Sequence, residues 1–211
     1  MTITCPRWFL TNRSGTYRVN IDEDTFIVTV TAAGTVARRW LNETMNINQV
    51  SVNNRTAVVG LGVQWSPSGA QAADTVQLCV GQRCLIFQIS RAEFVPSELR
   101  HFLWNRGFTF VGFWNRHDRA MLSQSRHALQ LRSDPLDLVR LVRNEVAGAP
   151  LERIVEEYLG FTGVRLTRNV TMSDWNRPLL TFAQIFQVAA EARCAYLIGN
   201  LLQAWQFRYI H

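Results

Sequence analysis

Apolar and polar residues alternate through the first third of the chain. Residues 7–11, 17–21 and 25–31 read as strands, with Ser14-Gly15 and Asp22-Glu23-Asp24 as turns between them. Residues 36–45 change to helical spacing, with Val36, Trp40 and Leu41 on one face, and residues 46–55 are a polar loop. Residues 57–65 form a near-continuous apolar run with β-branched side chains, the pattern of a strand buried on both faces, and Ser66-Pro67-Ser68-Gly69 ends it. Residues 75–79 and 84–88 predict a hairpin about Gly81. Leu99, Phe102 and Leu103 then define a helix over 96–104, with Pro96 at its start and Gly107 past its end. A strand at 108–113, a helix at 115–129 capped by Asn115, a strand at 130–132 and helices at 136–143 and 151–159 follow. After an irregular loop at 160–179, the spacing of Ile185, Val188, Ala189, Ala192, Ala195, Tyr196, Gly199 and Leu202 predicts one long helix over 181–206. Hairpin-connected strands followed by alternating helices and strands point to a mixed α/β sheet flanked by helices.

The chain has 211 residues, 47% of them apolar and 18% charged, which is a globular composition and not a disordered one. Its length suits one domain with an added arm. No apolar run approaches the ~20 residues that span a bilayer, and the N-terminus lacks the charged and apolar regions of a secretory leader. The expectation is a soluble intracellular protein without membrane partners. The net charge of +6 comes from 22 basic residues that are all Arg. Without Lys there is no Walker-A lysine, no Schiff base and no Ser-Lys nucleophile, whereas Arg offers planar forks for phosphate and faces that stack on bases. A polyanionic partner and a merely solvated basic surface both fit this charge. Four cysteines, Cys5, Cys79, Cys84 and Cys194, lack zinc spacing. Cys79 and Cys84 read as buried thiols of one hairpin, in keeping with a reducing compartment.

Five segments, covering three motifs in order, carry a family resemblance. Ala57-Val-Val-Gly-Leu-Gly-Val-Gln-Trp65 followed by Ser-Pro resembles the first motif of the Werner-type, acidic (DEDD) 3′-to-5′ exonucleases. Val111-Gly-Phe-Trp-Asn-Arg-His-Asp118 resembles the second. Residues 151–160, Ser173-Asp174-Trp175, and residues 180–184 through Glu191 resemble the region ending in the third. With its amino-terminal segment, the chain is most similar to the small plant members, the RISC-interacting clearing exoribonucleases. The resemblance implies a ribonuclease H-like fold, a mixed five-stranded sheet flanked by helices, over residues 51–211, and an N-terminal β-rich extension over residues 1–50 packed on it. It also implies hydrolysis of single-stranded RNA, with DNA as a further substrate. Mg²⁺ or Mn²⁺ is the implied cofactor, a homohexameric ring the implied assembly, Argonaute complexes the implied partners, and the cytoplasm and nucleus the implied location.

That chemistry uses two divalent ions held by four acidic side chains. The resemblance assigns metal binding and catalysis to Asp118 and Glu191, but Gly62 and Gln64 stand where the first motif carries its two acids. Gln187 stands where the family has a Tyr that orients water. Gln64, Trp65, Arg116 and Gln187 are the expected nucleic-acid contacts, with Trp114, Trp175 and Arg119 beside them. Each residue also has a plain structural reading. Asp118 falls at N3 of a helix capped by Asn115, a favourable place for any carboxylate. Glu191 lies at the flank of its apolar stripe, where it would be solvated or paired with Arg. The tryptophans suit core packing, and His101, His117 and His127 have no partner for catalysis. Asp22-Glu23-Asp24 and Asp174 are further acids that a metal would accept, though a solvated turn and a loop contact are the readings preferred for them. A fold kept for RNA binding or for assembly with active homologues, without catalysis, is the alternative function.

Overall fold

The alternation in the N-terminal third becomes three antiparallel strands, β1 (Thr2–Phe9), β2 (Ser14–Ile21) and β3 (Asp24–Thr31). Tyr17, Val19 and Ile21 of β2 and Phe26, Val28 and Val30 of β3 turn inward. The computed structural model describes residues 2–9, 14–67 and 71–208. Five more strands follow: β4 (Ala57–Gln64), β5 (Thr75–Val80), β6 (Arg83–Gln88), β7 (Phe108–Gly112) and β8 (Leu136–Asp137). All eight belong to one sheet of order β1-β2-β3-β6-β5-β4-β7-β8. β4, β5 and β6 form an antiparallel meander, while β7 and β8 run parallel to β4. These five are the expected mixed sheet. β1 to β3 lengthen it through parallel pairing of β3 with β6, Ile27 opposite Arg83 through Thr31 opposite Phe87.

Helices cover both faces. α1 (Gly34–Ile47) and α3 (Ser97–Trp104) lie on one side over Val59, Leu61, Leu78, Leu85 and Phe87. On the other side α7 (Phe182–Leu201) crosses β4 and β5, and α5 (Leu151–Leu159) packs against it. A Thr181–Gln184 capping box fixes the start of α7. The helix is rich in alanine, and Gly60 lets it sit directly on β4: a Cβ at position 60 would lie 1.9 Å from the Ala192 carbonyl oxygen. Sideways, Arg193 of α7 makes a buried two-pronged ion pair with Asp24 at 2.8 and 2.7 Å and also donates to the Gly81 carbonyl.

Several boundaries differ from the sequence expectation. Ser14 and Gly15 are strand residues paired with Phe9 and Trp8, and β1 begins at Thr2; residues 10 and 11 of the expected first strand lie outside the described residues, as do Ser68 and Gly69. The expected loop at 46–55 contains a short helix, α2 (Gln49–Asn53), and the loop at 160–179 contains α6 (Arg168–Thr171). The helix expected at 115–129 is only α4 (Asp118–Gln124), because Ser125 turns to extended backbone. Asn115 does not cap it; its Nδ2 donates to the Leu136 carbonyl 3.0 Å away. Residues 130–132 are not a strand. The strand at this edge is Leu136–Asp137, where a helix was expected, because Pro135 holds Asp134 extended and the chain then pairs with Val111 and Gly112. The last helix stops at Leu201, five residues short of the expected end, with Gln203 in left-handed backbone.

The seat of α7 gives a direct test. Gly60→Ala should lower unfolding free energy in urea by roughly 3 kcal/mol, the upper part of the overpacking range. Gly148→Ala, at an exposed glycine with nothing nearby, should change it by less than about 0.5 kcal/mol. Equal midpoints for the two variants would contradict the contact.

Candidate active site

β4 and β7 run side by side, Ala57 opposite Phe108 through Gly60 opposite Val111, so their carboxyl ends open at the same edge of the sheet. There β4 ends at Gln64, and the chain leaving β7 turns through Trp114 and Asn115 to start α4 at Asp118. From above, α7 lowers Glu191, the residue next to the Ala192 carbonyl that rests on Gly60. The sheet thus brings Asp118 and Glu191 near one another, although they are far apart in sequence. Asp118 is 7% exposed, at the first position of its helix and not the expected third. Burial, then the nearby carboxyls of Glu191 and Asp137, push its pKa up to about 8. Burial alone pushes Glu191 up to about 7. Among the described residues neither carboxyl meets a cation or a hydrogen-bond donor. Near neutral pH the two therefore keep protons that isolated acids would have released.

The vacated acid positions are filled in different ways. Gly62 lies opposite Gln77 of β5, and a Cβ at position 62 would come within 2.8 Å of Gln77 Oε1. Gln77 is fully buried, its Nε2 donates to Thr75 Oγ1 at 2.7 Å, and its Oε1 has no hydrogen-bond partner. An amide oxygen from the neighbouring strand thus occupies the space beside the missing acid. Gln64 is half-buried with its carboxamide free of hydrogen bonds. Asp137 Oδ1 accepts from the backbone N–H groups of Trp114 and Val139, both at 3.1 Å, which fixes the turn into the site. Gln77 and Asp137 were missed by sequence reasoning. A lone Gln in the otherwise apolar run Thr-Val-Gln-Leu-Cys-Val and an acid just after the Ser133-Asp134-Pro135 turn were the available signals.

Other expected residues do structural work. Gln187 is not free to orient water: its Oε1 accepts from Thr167 N at 2.9 Å and its Nε2 donates to Thr171 Oγ1 at 2.8 Å. Trp175 is wholly buried, donating Nε1–H to the Thr171 carbonyl, so it cannot stack on a base. Trp65 is half-buried against the core, and Arg116 is exposed. Arg119 pairs with Asp134 at 3.6 Å across exposed surface. Asp24 is spent on Arg193, and Asp22 accepts from Thr162 N. Asp174 accepts from Ser66 Oγ and Asn176 N, and Gln184 ties the Ser173-Asp174 loop to the capping box. His127 Nε2 lies 3.0 Å from the Ala92 carbonyl, and His101 and His117 are exposed. Cys79 and Cys84 face one another across the hairpin, both buried, and the hydrogen bond to Cys79 raises the Cys84 thiol first, burial second.

Exposed Trp114 differs from these. It has φ +48, a conformation that costs a bulky residue about 1–3 kcal/mol, yet its indole is half exposed while its backbone N–H donates to Asp137 Oδ1.

Comparisons with known proteins bear on the fold. No family model matches the chain, and no curated protein does so significantly. Among solved structures it is similar to the exonuclease (EXO) domain of Aedes aegypti Nibbler, with TM-score 0.65 and 16% identity over 92% of this chain and 94% of that one. It is similar to Escherichia coli RNase D, an exoribonuclease involved in structured RNA processing, with TM-score 0.61 and 17% identity over 78% of this chain and 43% of that enzyme. Brucella melitensis NrnC matches with TM-score 0.53 and 19% identity over 72% of this chain and 74% of that one. The fold is that of a ribonuclease H-like exonuclease domain.

Within this exonuclease fold, the donors present suit one hard divalent cation better than two. Mg²⁺ accepts one or two carboxylates with water and phosphate completing its shell. Asp118 and Glu191 would supply the carboxylates. Among the described residues no group of three or more His, Cys, Asp or Glu side chains is disposed to hold a metal. A pair of ions would need acids that Gly62 and Gln64 do not provide.

The protonated pair sets a pH dependence. Both folded pKa values lie above their ordinary 3.8 and 4.5. The native state therefore binds more protons than the unfolded chain between about pH 4 and 8, and this contribution to stability is lost as pH rises through 7 and 8. Unfolding free energy measured in urea should fall from pH 5 to pH 8, by at most about 1.4 kcal/mol per pH unit for each carboxyl. Asp118→Asn should flatten the slope. A slope unchanged by that substitution would contradict the arrangement.

Proposed function

We propose that this protein binds the 3′ end of single-stranded RNA and slowly hydrolyses the terminal phosphodiester at a centre holding one Mg²⁺ or Mn²⁺ ion between Asp118 and Glu191. The observation that carries this reading is the pair of carboxyls gathered without a cation or donor to compensate them. Such a pair is unfavourable for an empty fold and suited to an ion. The ion would supply charge stabilisation at the scissile phosphate. Asp118 and Glu191 release their protons to hold it, Gln64 hydrogen-bonds the terminal nucleotide, and exposed Arg116 meets its phosphate. Trp114 presents the face on which the last base stacks, a contact that tolerates any sequence. Water adds to phosphorus, the P–O3′ bond breaks, and a nucleoside 5′-monophosphate leaves a chain with a new 3′-hydroxyl.

A second reading, RNA binding without turnover, is favoured by Gln77, whose amide fills the space beside Gly62. The motif resemblance also supports a homohexameric ring acting on Argonaute-derived fragments in the cytoplasm and nucleus, with light scattering as the test of the assembly.

Incubation with 3′-labelled single-stranded RNA separates the first two readings. The expected result is slow label release that needs Mg²⁺ or Mn²⁺ and disappears in Asp118→Asn. RNA bound but intact in either metal would establish the second reading, and release unchanged in Asp118→Asn would overturn the assigned centre. Gly62→Asp with Gln77→Ala, which adds an acid and clears the amide, should raise the rate tenfold or more, given the 10–100-fold effects of lesser changes around metal sites. Trp114→Ala should weaken RNA binding by about 5–150-fold, the equivalent of one lost stacking contact of ~1–3 kcal/mol.

A further inference from the structure

A second feature lies along the outer edge of β7. β8 pairs only with Val111 and Gly112, so among the described residues no strand lies beside Phe108 to Phe110 on that edge. A cleft of about 460 Å³ opens there, within the range of ligand sites, and five arginines line it: Arg55, Arg106, Arg119, Arg132 and Arg208. Its one lining acid, Asp134, is largely exposed and pairs loosely with Arg119. Arg208 acts as a brace, bonded to Thr109 Oγ1 and to the carbonyls of Arg55, Arg106 and Gly107. It thereby fixes the two backbone segments that carry Arg55 and Arg106. Arg55, Arg106 and Arg132 are exposed, and no described carboxylate pairs with them.

Two costs are retained here. Three uncompensated cations face a shared cleft, although the surface elsewhere pairs Arg143 and Arg153 with Glu156 and Glu157. Arg55 also takes φ +58, although Asn54 beside it is better suited to left-handed backbone. A retained strain of this kind points to a role for the side chain it displays.

We propose that this cleft binds the phosphate backbone of single-stranded RNA upstream of its 3′ end. Along β7, Phe108 lies about 13 Å from Gly112 at ~3.3 Å per residue, which sets the cleft a few nucleotides from the carboxyl pair. Arg119 and Leu136, neighbours of Asp118 and Asp137, join the two regions. Guanidinium forks suit phosphate oxygens and carry no base preference. The proposal rests on the RNA-binding part of the reading above and is independent of hydrolysis.

The test is equilibrium binding of fluorescein-labelled dodecauridylate in EDTA from 50 to 200 mM NaCl. Arg55→Gln/Arg106→Gln/Arg132→Gln should bind at least tenfold more weakly at 50 mM salt. Its slope of log affinity against log salt should be smaller by about 2, from three lost contacts at ~0.7 each for a single strand. Arg143→Gln/Arg153→Gln/Arg168→Gln has the same net charge and should keep the wild-type slope. If both triples lose slope equally, only overall charge matters and the proposal fails. It fails too if polyglutamate competes as well as oligouridylate of equal charge. Metal-dependent cleavage of a diuridylate, too short to reach the cleft, should be equal in the cleft variant and the wild type. Absence of that cleavage in both would refute hydrolysis and leave the binding result to stand or fall by itself. Should the cleft triple misfold by circular dichroism, Arg55→Gln alone should remove about one third of the slope change, and an unchanged slope would overturn the proposal.

Discussion

The arrangement depends on one close approach, the backbone of α7 resting on β4 at Gly60. The Ala192 carbonyl occupies the space that a Cβ at position 60 would need, so no side chain separates helix from strand there. This proximity brings Glu191 down toward the sheet's carboxyl edge and into the field of Asp118. The buried Arg193–Asp24 pair prevents sliding, because it ties the next turn of α7 to the β2–β3 hairpin and, through Gly81, to the β5–β6 turn. Burying that pair is a weak source of net stability but a strong source of register, since either partner left alone would be an unpaired buried charge. The N-terminal strands are therefore part of what positions the centre, not an ornament at the sheet's edge.

Most polar groups around the carboxyl pair are committed to holding the fold. Gln187, which the motif pattern places next to the chemistry, and Gln184 one turn before it hold the 167–175 segment against α7. Ser66, after the first motif, joins Asp74, Asp174 and the amides of Trp175 and Asn176 in one network. These motif residues close the hydrogen bonds of the loops that flank α7. Retention of a motif is evidence for the fold before it is evidence for chemistry.

Long periodic segments were legible in the sequence. β4, the β5–β6 hairpin, α3, α5 and most of α7 emerge from apolar spacing and their caps, and Asp118 and Glu191 from position within motifs. What the sequence concealed depends on register. That Gln77 fills the gap at Gly62 follows only once β4 and β5 are paired residue by residue. That Asp137 belongs beside Asp118 requires β8 to be an edge strand of two residues, too short for any periodicity to announce. Trp175 looked available for stacking because an aromatic near a motif has no sequence mark that separates a base platform from a core anchor; its Nε1–H bond and burial decide the matter.

Charge distribution gives the last connection between fold and function. An all-arginine basic complement spread evenly would argue only for solubility. Here glutamates on α5 and α1 are matched to arginines, as in Glu157–Arg143 and Glu43–Arg83, while at the β7 edge Arg55, Arg106 and Arg132 have no described acid partner. At the end of that same strand lie two carboxyls without cations. A short edge strand therefore separates an unpaired positive region from an unpaired acidic one. A polyanion whose end carries a divalent cation would satisfy both at once, neutralising the arginines along its length and the carboxyls at its terminus. A neutral ligand would compensate neither region, and a simple anion would reach the arginines alone.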